Sequence, residues 1–161
     1  MMAKTAIAAY KQKILQDLLY NEDDSLSCAL IAAIDKTYLE NRDGLIYQNI
    51  FPHLRSSELE TEEPCLLTFA VDIPETESKN PLLKDMAITF HVIVRPEQMR
   101  LSSDTAMTRT DHIASILAGI FGQNPTYGAS PLEYVSDLES ILPNGCPART
   151  LKFCCREINR L

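Results

Sequence analysis

Apolar residues recur along this chain with two different periods. In residues 3–20, Ile7, Lys11, Ile14, Leu15, Leu18 and Leu19 fall at helical spacing, which predicts an amphipathic helix with one apolar stripe. The polar cluster 21–25 ends it and supplies Asp24 or Ser25 as the cap of a second helix from about Leu26 to Tyr38, with Leu30, Ala33, Ile34 and Tyr38 on its inner face. Residues 41–44 read as a turn, and 45–52 as a short strand or irregular segment pinned by Ile46, Ile50 and Phe51, because Pro52 biases Phe51 away from helix. The period then changes to two. Cys65, Leu67, Phe69, Val71 and Ile73 alternate with more polar positions, as do Met86, Ile88, Phe90, Val92 and Val94, and both segments read as half-buried strands. The connection 74–84 reads as a long exposed hairpin arm.

Helical spacing returns after the hydroxyl-and-acid start at 108–111, with Ile113, Ile116, Leu117, Ile120 and Phe121 as the stripe and Gly122 as the stop. A weaker strand falls within 132–142, Asn144-Gly145 signals a tight turn, and a last strand covers 149–157 with Leu151, Phe153 and Cys155 on one face. The expectation is a single α+β domain, with a mostly antiparallel twisted sheet of about four strands and helices packed on it. An N-terminal helical segment (1–43) joins a core (44–161) in one compact unit. Leu66, Ala70, Ala87 and Ile93 place apolar groups on the more polar sheet face too, so a second layer, the N-terminal helices or another subunit is expected to cover it.

Charge adds a location to this pattern. The chain has 161 residues and a net charge of −7, and residues 57–78 hold seven acids (Glu58, Glu60, Glu62, Glu63, Asp72, Glu75, Glu77) with no Lys or Arg. The other fifteen acids balance all fifteen bases, so one surface is expected to carry the net charge. Such a chain does not suit general nucleic-acid binding, which needs clustered cations. No apolar run is long enough for a membrane span, and Lys4, Lys11 and Lys13 interrupt the N-terminal apolar residues, so no signal peptide is expected.

Candidate chemistry is sparse. The five cysteines and three histidines lack CxxC or HxxxH spacing, so no metal site is expected, and reduced thiols imply a reducing cytoplasm. No GxSxG, GxxxxGK[ST] or GxGxxG is present, so neither a catalytic residue nor a cofactor is expected. Asp111 and His112 are adjacent on a helix and point about 100° apart, which reads as two solvated first-turn residues. His91 reads as a hydrogen-bonded structural histidine, and Cys154 and Cys155, on opposite faces of a strand, as separate thiols. The acidic stretch and the arm border the same two strands, giving edges suited to pairing with a neighbour.

The order of segments is itself suggestive. The runs LIYQNIFPHL (45–54), FAVDIP (69–74), LLKDMAITFHVIVRPEQM (82–99), RTDHIASIL (109–117) and RTLKF (149–153) together resemble small neck proteins of tailed bacteriophages, of the tail-terminator or head-to-tail joining group. The resemblance implies an α/β virion subunit, assembled in the host cytoplasm, that forms a ring, commonly a hexamer, at the head-proximal end of the tail. Such a ring ends tail-tube assembly and joins the tail to the head connector, so its partners are itself, the tail-tube protein and a head-connector or head-closure protein, while DNA passes without specific binding. It also implies that the arm mediates subunit contact, with Glu75, Glu77, Lys79, Lys84 and Arg95 as interface residues. Glu58, Glu60, Glu62 and Glu63 would face the DNA channel. Alternatives are a head-closure or adaptor protein of the same neck, an acidic cytoplasmic α/β binding domain, and a small hydrolase using His91 or His112.

Overall fold

The Thr5 hydroxyl accepts the amide of Ala8 and so starts the first helix, α1 (Ala6–Leu19). In the computed structural model, residues 5–35, 41–54, 63–74, 83–101 and 106–158 are described. The second helix, α2 (Asp24–Ile34), starts slightly earlier than expected because Asp23 is its cap, its carboxylate accepting the Ser25 amide at 3.0 Å. Leu30, Ala33 and Ile34 are buried on its inner face, while Tyr38 lies outside the described residues. The expected turn at 41–44 is a 3-10 turn, Arg42–Leu45. Beyond it, β1 (Ile50–Phe51) is the strand-like piece of the 45–52 segment.

The strongly alternating segments are β2 (Cys65–Asp72) and β3 (Leu83–Val94). The stripe at 113–121 is α3 (Arg109–Phe121), started by a capping box between Thr108 and Asp111 and ended at Gly122. The weak strand signal is the nine-residue β4 (Glu133–Ile141), and the last strand is β5 (Pro147–Ile158). The turn between them closes through Gly145, whose φ of 83° is the left-handed conformation that glycine adopts without steric cost.

The sheet order is β1-β2-β3-β5-β4, with β1 parallel to β2 and every other pair antiparallel. The protein is thus a single α+β domain with, among the described residues, three helices and a mixed five-stranded sheet, the fifth strand being the short β1. Direct cross-strand pairs such as Phe69 with Phe90 and Phe90 with Leu151 place like residues on one face. All three helices pack on that face. Ile14, Leu18, Leu30, Ile34, Ile113, Leu117 and Phe121 join Phe69, Phe90 and Phe153 in one apolar cluster, with Phe90 and Phe121 ring centroids 4.8 Å apart.

Four expectations change here. The N-terminal helices share a face with α3, so they are not what covers the other face of the sheet, where Phe51, Leu66, Ile93 and Ala148 form a small separate cluster. β3 is an interior strand, and β2 pairs β1 only at Leu67 and Thr68, so among the described residues the sheet is open along 69–72 of β2 on one side and along the longer β4 on the other. The α1 stripe is buried only at Ile14, Leu18 and Leu19, whereas Ile7 is exposed. Residues 75–82, most of the expected arm, lie outside the described residues, but Lys84 belongs to β3 and not to the arm.

Candidate assembly interface

Of the residues expected at a subunit interface or channel, Glu58, Glu60, Glu62, Glu75, Glu77 and Lys79 lie outside the described residues. Glu63 is anchored. Its carboxylate accepts hydrogen bonds from Gln48 Nε2 at 3.4 Å and from the buried Asn49 Nδ2 at 3.3 Å, and Asn49 Nδ2 also reaches the Cys65 carbonyl, tying the start of β2 to β1. Asp72, the other described acid of the 57–78 stretch, is at the far end of β2, roughly 30 Å away at strand rise. These two acids therefore do not share one surface, because the strand between them is extended. Lys84 and Arg95 are separated in the same way, at opposite ends of β3 and roughly 35 Å apart. Lys84 sits 3.9 Å from Glu157 across the β3–β5 pair, and Arg95 sits 4.0 Å from Glu97.

His91 lies on the sheet face away from the helices, and its Nδ1 is 3.0 Å from Thr150 Oγ1. Burial holds its pKa below the ordinary histidine value, which favours the neutral ring at pH 7. It lines a hollow of about 240 Å³ with Leu54, Thr68, Ile93 and Ser140, and the described lining contains no carboxylate. Cys65 and Cys155 are buried, and burial raises their thiols to about 12 and about 11 respectively, so both stay protonated near neutrality. Cys154, on the opposite face, is also a free thiol. Among the described residues, no group of three or more His, Cys, Asp or Glu side chains could hold a metal ion, and no helix is long and apolar enough to cross a membrane.

Asp111 is more than a solvated first-turn residue. It accepts from the Thr108 amide and hydroxyl, completing the α3 cap, and also takes a hydrogen bond from Arg149 Nη1 on β5. Arg149 meanwhile grips Asp137 of β4 with two bonds, Nε to Oδ1 at 2.6 Å and Nη2 to Oδ2 at 2.5 Å. Tyr134 donates to the same Asp137 at 2.5 Å. The Thr108 hydrogen bonds hold the Asp111 carboxyl below the usual range, and Arg149 does the same for Asp137. This five-residue chain fastens the outer strand to the helix layer. Sequence reasoning missed it, although one signal existed: alternation puts Arg149 on the same face as Leu151 and Phe153, where a cation requires counter-charges.

His112 points elsewhere, lining a cleft of about 660 Å³ with Ala29, Ala33, Arg100 and Arg109. Arg109 is buried and donates to the carbonyls of Gln98 at 2.8 Å and Ala33 at 2.5 Å, so it clamps the start of α3 to the end of α2.

The outer strand presents a different surface. Tyr134, Val135, Leu138 and Ile141 of β4 are exposed, Leu138 at 63% and Ile141 at 76%, and they account for nearly half of the large exposed apolar side chains among the described residues. Cross-strand register places Leu138 opposite Thr150 on the face away from the helices, and Tyr134 and Ile141 opposite Phe153 and Pro147 on the helix side. A slip in the ladder between Tyr134 and Ser136 leaves Val135 unpaired with β5. A long open edge with apolar groups on both faces is a surface fit for another chain.

The fold and this edge define an α+β domain with an uncovered apolar flank. The chain matches the family described as YomW over residues 12–155 and belongs to that family. The family bears a Bacillus phage-derived protein name, so the protein is phage-related. No curated protein matches the chain.

Proposed function

We propose that this protein is a structural virion subunit that forms a ring, a hexamer in the simplest case, at the head-proximal end of a phage tail, ending tail-tube assembly and joining the tail to the head connector. The observation that carries the reading is the β4 flank, where a nine-residue open strand exposes Leu138 and Ile141 to solvent. A phage-related family and the resemblance to neck proteins in segment order give that surface its context. The mixed content of three helices and five strands among the described residues favours a terminator over a head-closure protein, expected to be mostly β, and over an adaptor, expected to be mostly helical. The acidic residues 58–63 would then line the channel, where negative charge multiplied around a ring keeps DNA from adhering.

Native mass spectrometry with negative-stain imaging tests this. A single closed oligomer with a central hole that caps purified tail tubes is the expected result. A monomer at micromolar concentration would overturn the ring, and a ring that binds connectors but never tubes would reassign it to head closure. A ring structure with residues 58–63 on the outside would remove the channel assignment alone.

A further inference from the structure

The helix layer is narrower than the sheet. α1 and α2 pack over β2, and α3 over β3 and β5, so among the described residues no helix packs extensively over β4, which only the start of α3 approaches. The uncovered shelf carries Tyr134, Glu139 and Ile141, which stand opposite Phe153, Arg149 and Pro147 on the helix side. Beside it, a hollow of about 370 Å³ is lined by Met99, Thr110, Glu139 and Ile141. β4 also carries three acids (Glu133, Asp137, Glu139) and no base, and Arg149 compensates only Asp137 among them through its two short bonds. A twofold mate pairing through its own β4 would bring more acids and no cation to this edge.

The opposite character occurs at the start of α1. Ile7, Tyr10, Lys11 and Ile14 share one helical stripe, but only Ile14 is fully buried, and Ala6, Ile7, Ala8 and Ala9 are exposed. Residues 3–20 contain Lys4, Lys11 and Lys13 with Asp17 as the one acid, and Asp17 already pairs with Lys13 at 3.3 Å. This end of the helix is therefore apolar and cationic, and its dipole adds partial positive charge.

We propose that the first turns of α1 from a second copy of this chain occupy the shelf over β4 as a fourth helix beside α3, with Ile7 against Ile141 and Lys11 against Glu139. This rests on the ring reading and says which surfaces make the ring. Two different patches of the same chain meet, which is the heterologous contact that generates rings and not twofold dimers. Both charges lie at the rim of an apolar contact, where opposite signs fix register and like signs are strongly disfavoured.

The test is a charge swap on the full chain, read by native mass spectrometry and sedimentation. Lys11→Glu and Glu139→Lys each should raise the subunit dissociation constant by roughly tenfold or more, and the double variant, which restores opposite charges across every contact, should recover the wild-type assembly. Ile7→Ser should weaken assembly in the same direction without changing charge, while circular dichroism confirms a folded subunit. Rings that persist unchanged in both single variants would overturn this contact and leave the ring reading standing. Failure of the double variant to recover would overturn the Lys11–Glu139 pairing, and a monomeric wild type would overturn both proposals.

Discussion

β3 and β4 are strands of the same antiparallel sheet, and both carry large apolar side chains, yet they are held by different means. In β3, Met86, Ile88, Phe90, Val92 and Val94 are buried under the helices, with Phe90 in ring contact with Phe69, Phe121 and Phe153. In β4 the apolar residues face solvent, and the strand is held by its ladder to β5 and by the charged chain from Tyr134 through Asp137 and Arg149 to Asp111. Burial is what makes a strand depend on the fold, while a hydrogen-bonded ladder and one arginine can hold a strand in place with its apolar groups outside. The first arrangement builds the subunit, and the second keeps a surface ready for a partner.

The largest test of this contrast is Phe90→Ala, which should cost about 3–5 kcal/mol through a cavity in the aromatic cluster, measured by denaturant unfolding; a negligible loss would mean that β3 is not the centre of the core. Arg149→Ala should cost about 2 kcal/mol, since two carboxylates lose charged hydrogen bonds, and near-zero loss would show that the ladder alone retains β4. Acid should act through the same pair. The carboxyls of Asp111 and Asp137 titrate below the ordinary value in the folded chain, so their contribution is complete at neutral pH. It declines once pH falls below about 3.9, the unfolded aspartate value, and is gone below the depressed folded values. Melting temperatures between pH 7 and pH 2 should therefore fall less steeply for Asp137→Asn than for the wild type. Smallest of all, Ile141→Ser should change subunit stability by within about 0.5 kcal/mol, while weakening assembly; a large loss of stability would place Ile141 in the core.

The sequence made β2, β3 and α3 legible because each has a strict period: two for the strands, and 3.6 for the stripe from Ile113 to Phe121. The Thr108 cap and the Gly145 turn were readable for the same local reason. Strand order was not readable. Nothing local to β4 shows that it pairs outside β5, and its exposed Leu138 and Ile141 blur the alternation that would have marked it. The alternation points to β2 and β3 as edges instead; β3 lies inside the sheet, whereas β2, paired with β1 only at Leu67 and Thr68, keeps 69–72 open. The candidate interface was missed with it, since a surface made by the absence of a covering helix leaves no residue pattern. The Asp111–Arg149–Asp137 cluster joins residues far apart in the chain, and only the lone cation on an apolar face hinted at it.

If the ring forms as proposed, assembly covers β4 and leaves β3 as it is. Hydrogen–deuterium exchange of the intact protein, followed by mass spectrometry at dilute and concentrated conditions, separates the two strands. Amides in 133–141 should become more protected as concentration rises, whereas those in 86–94 should exchange equally slowly at both. Exchange in 133–141 that does not change while the protein oligomerises would contradict it.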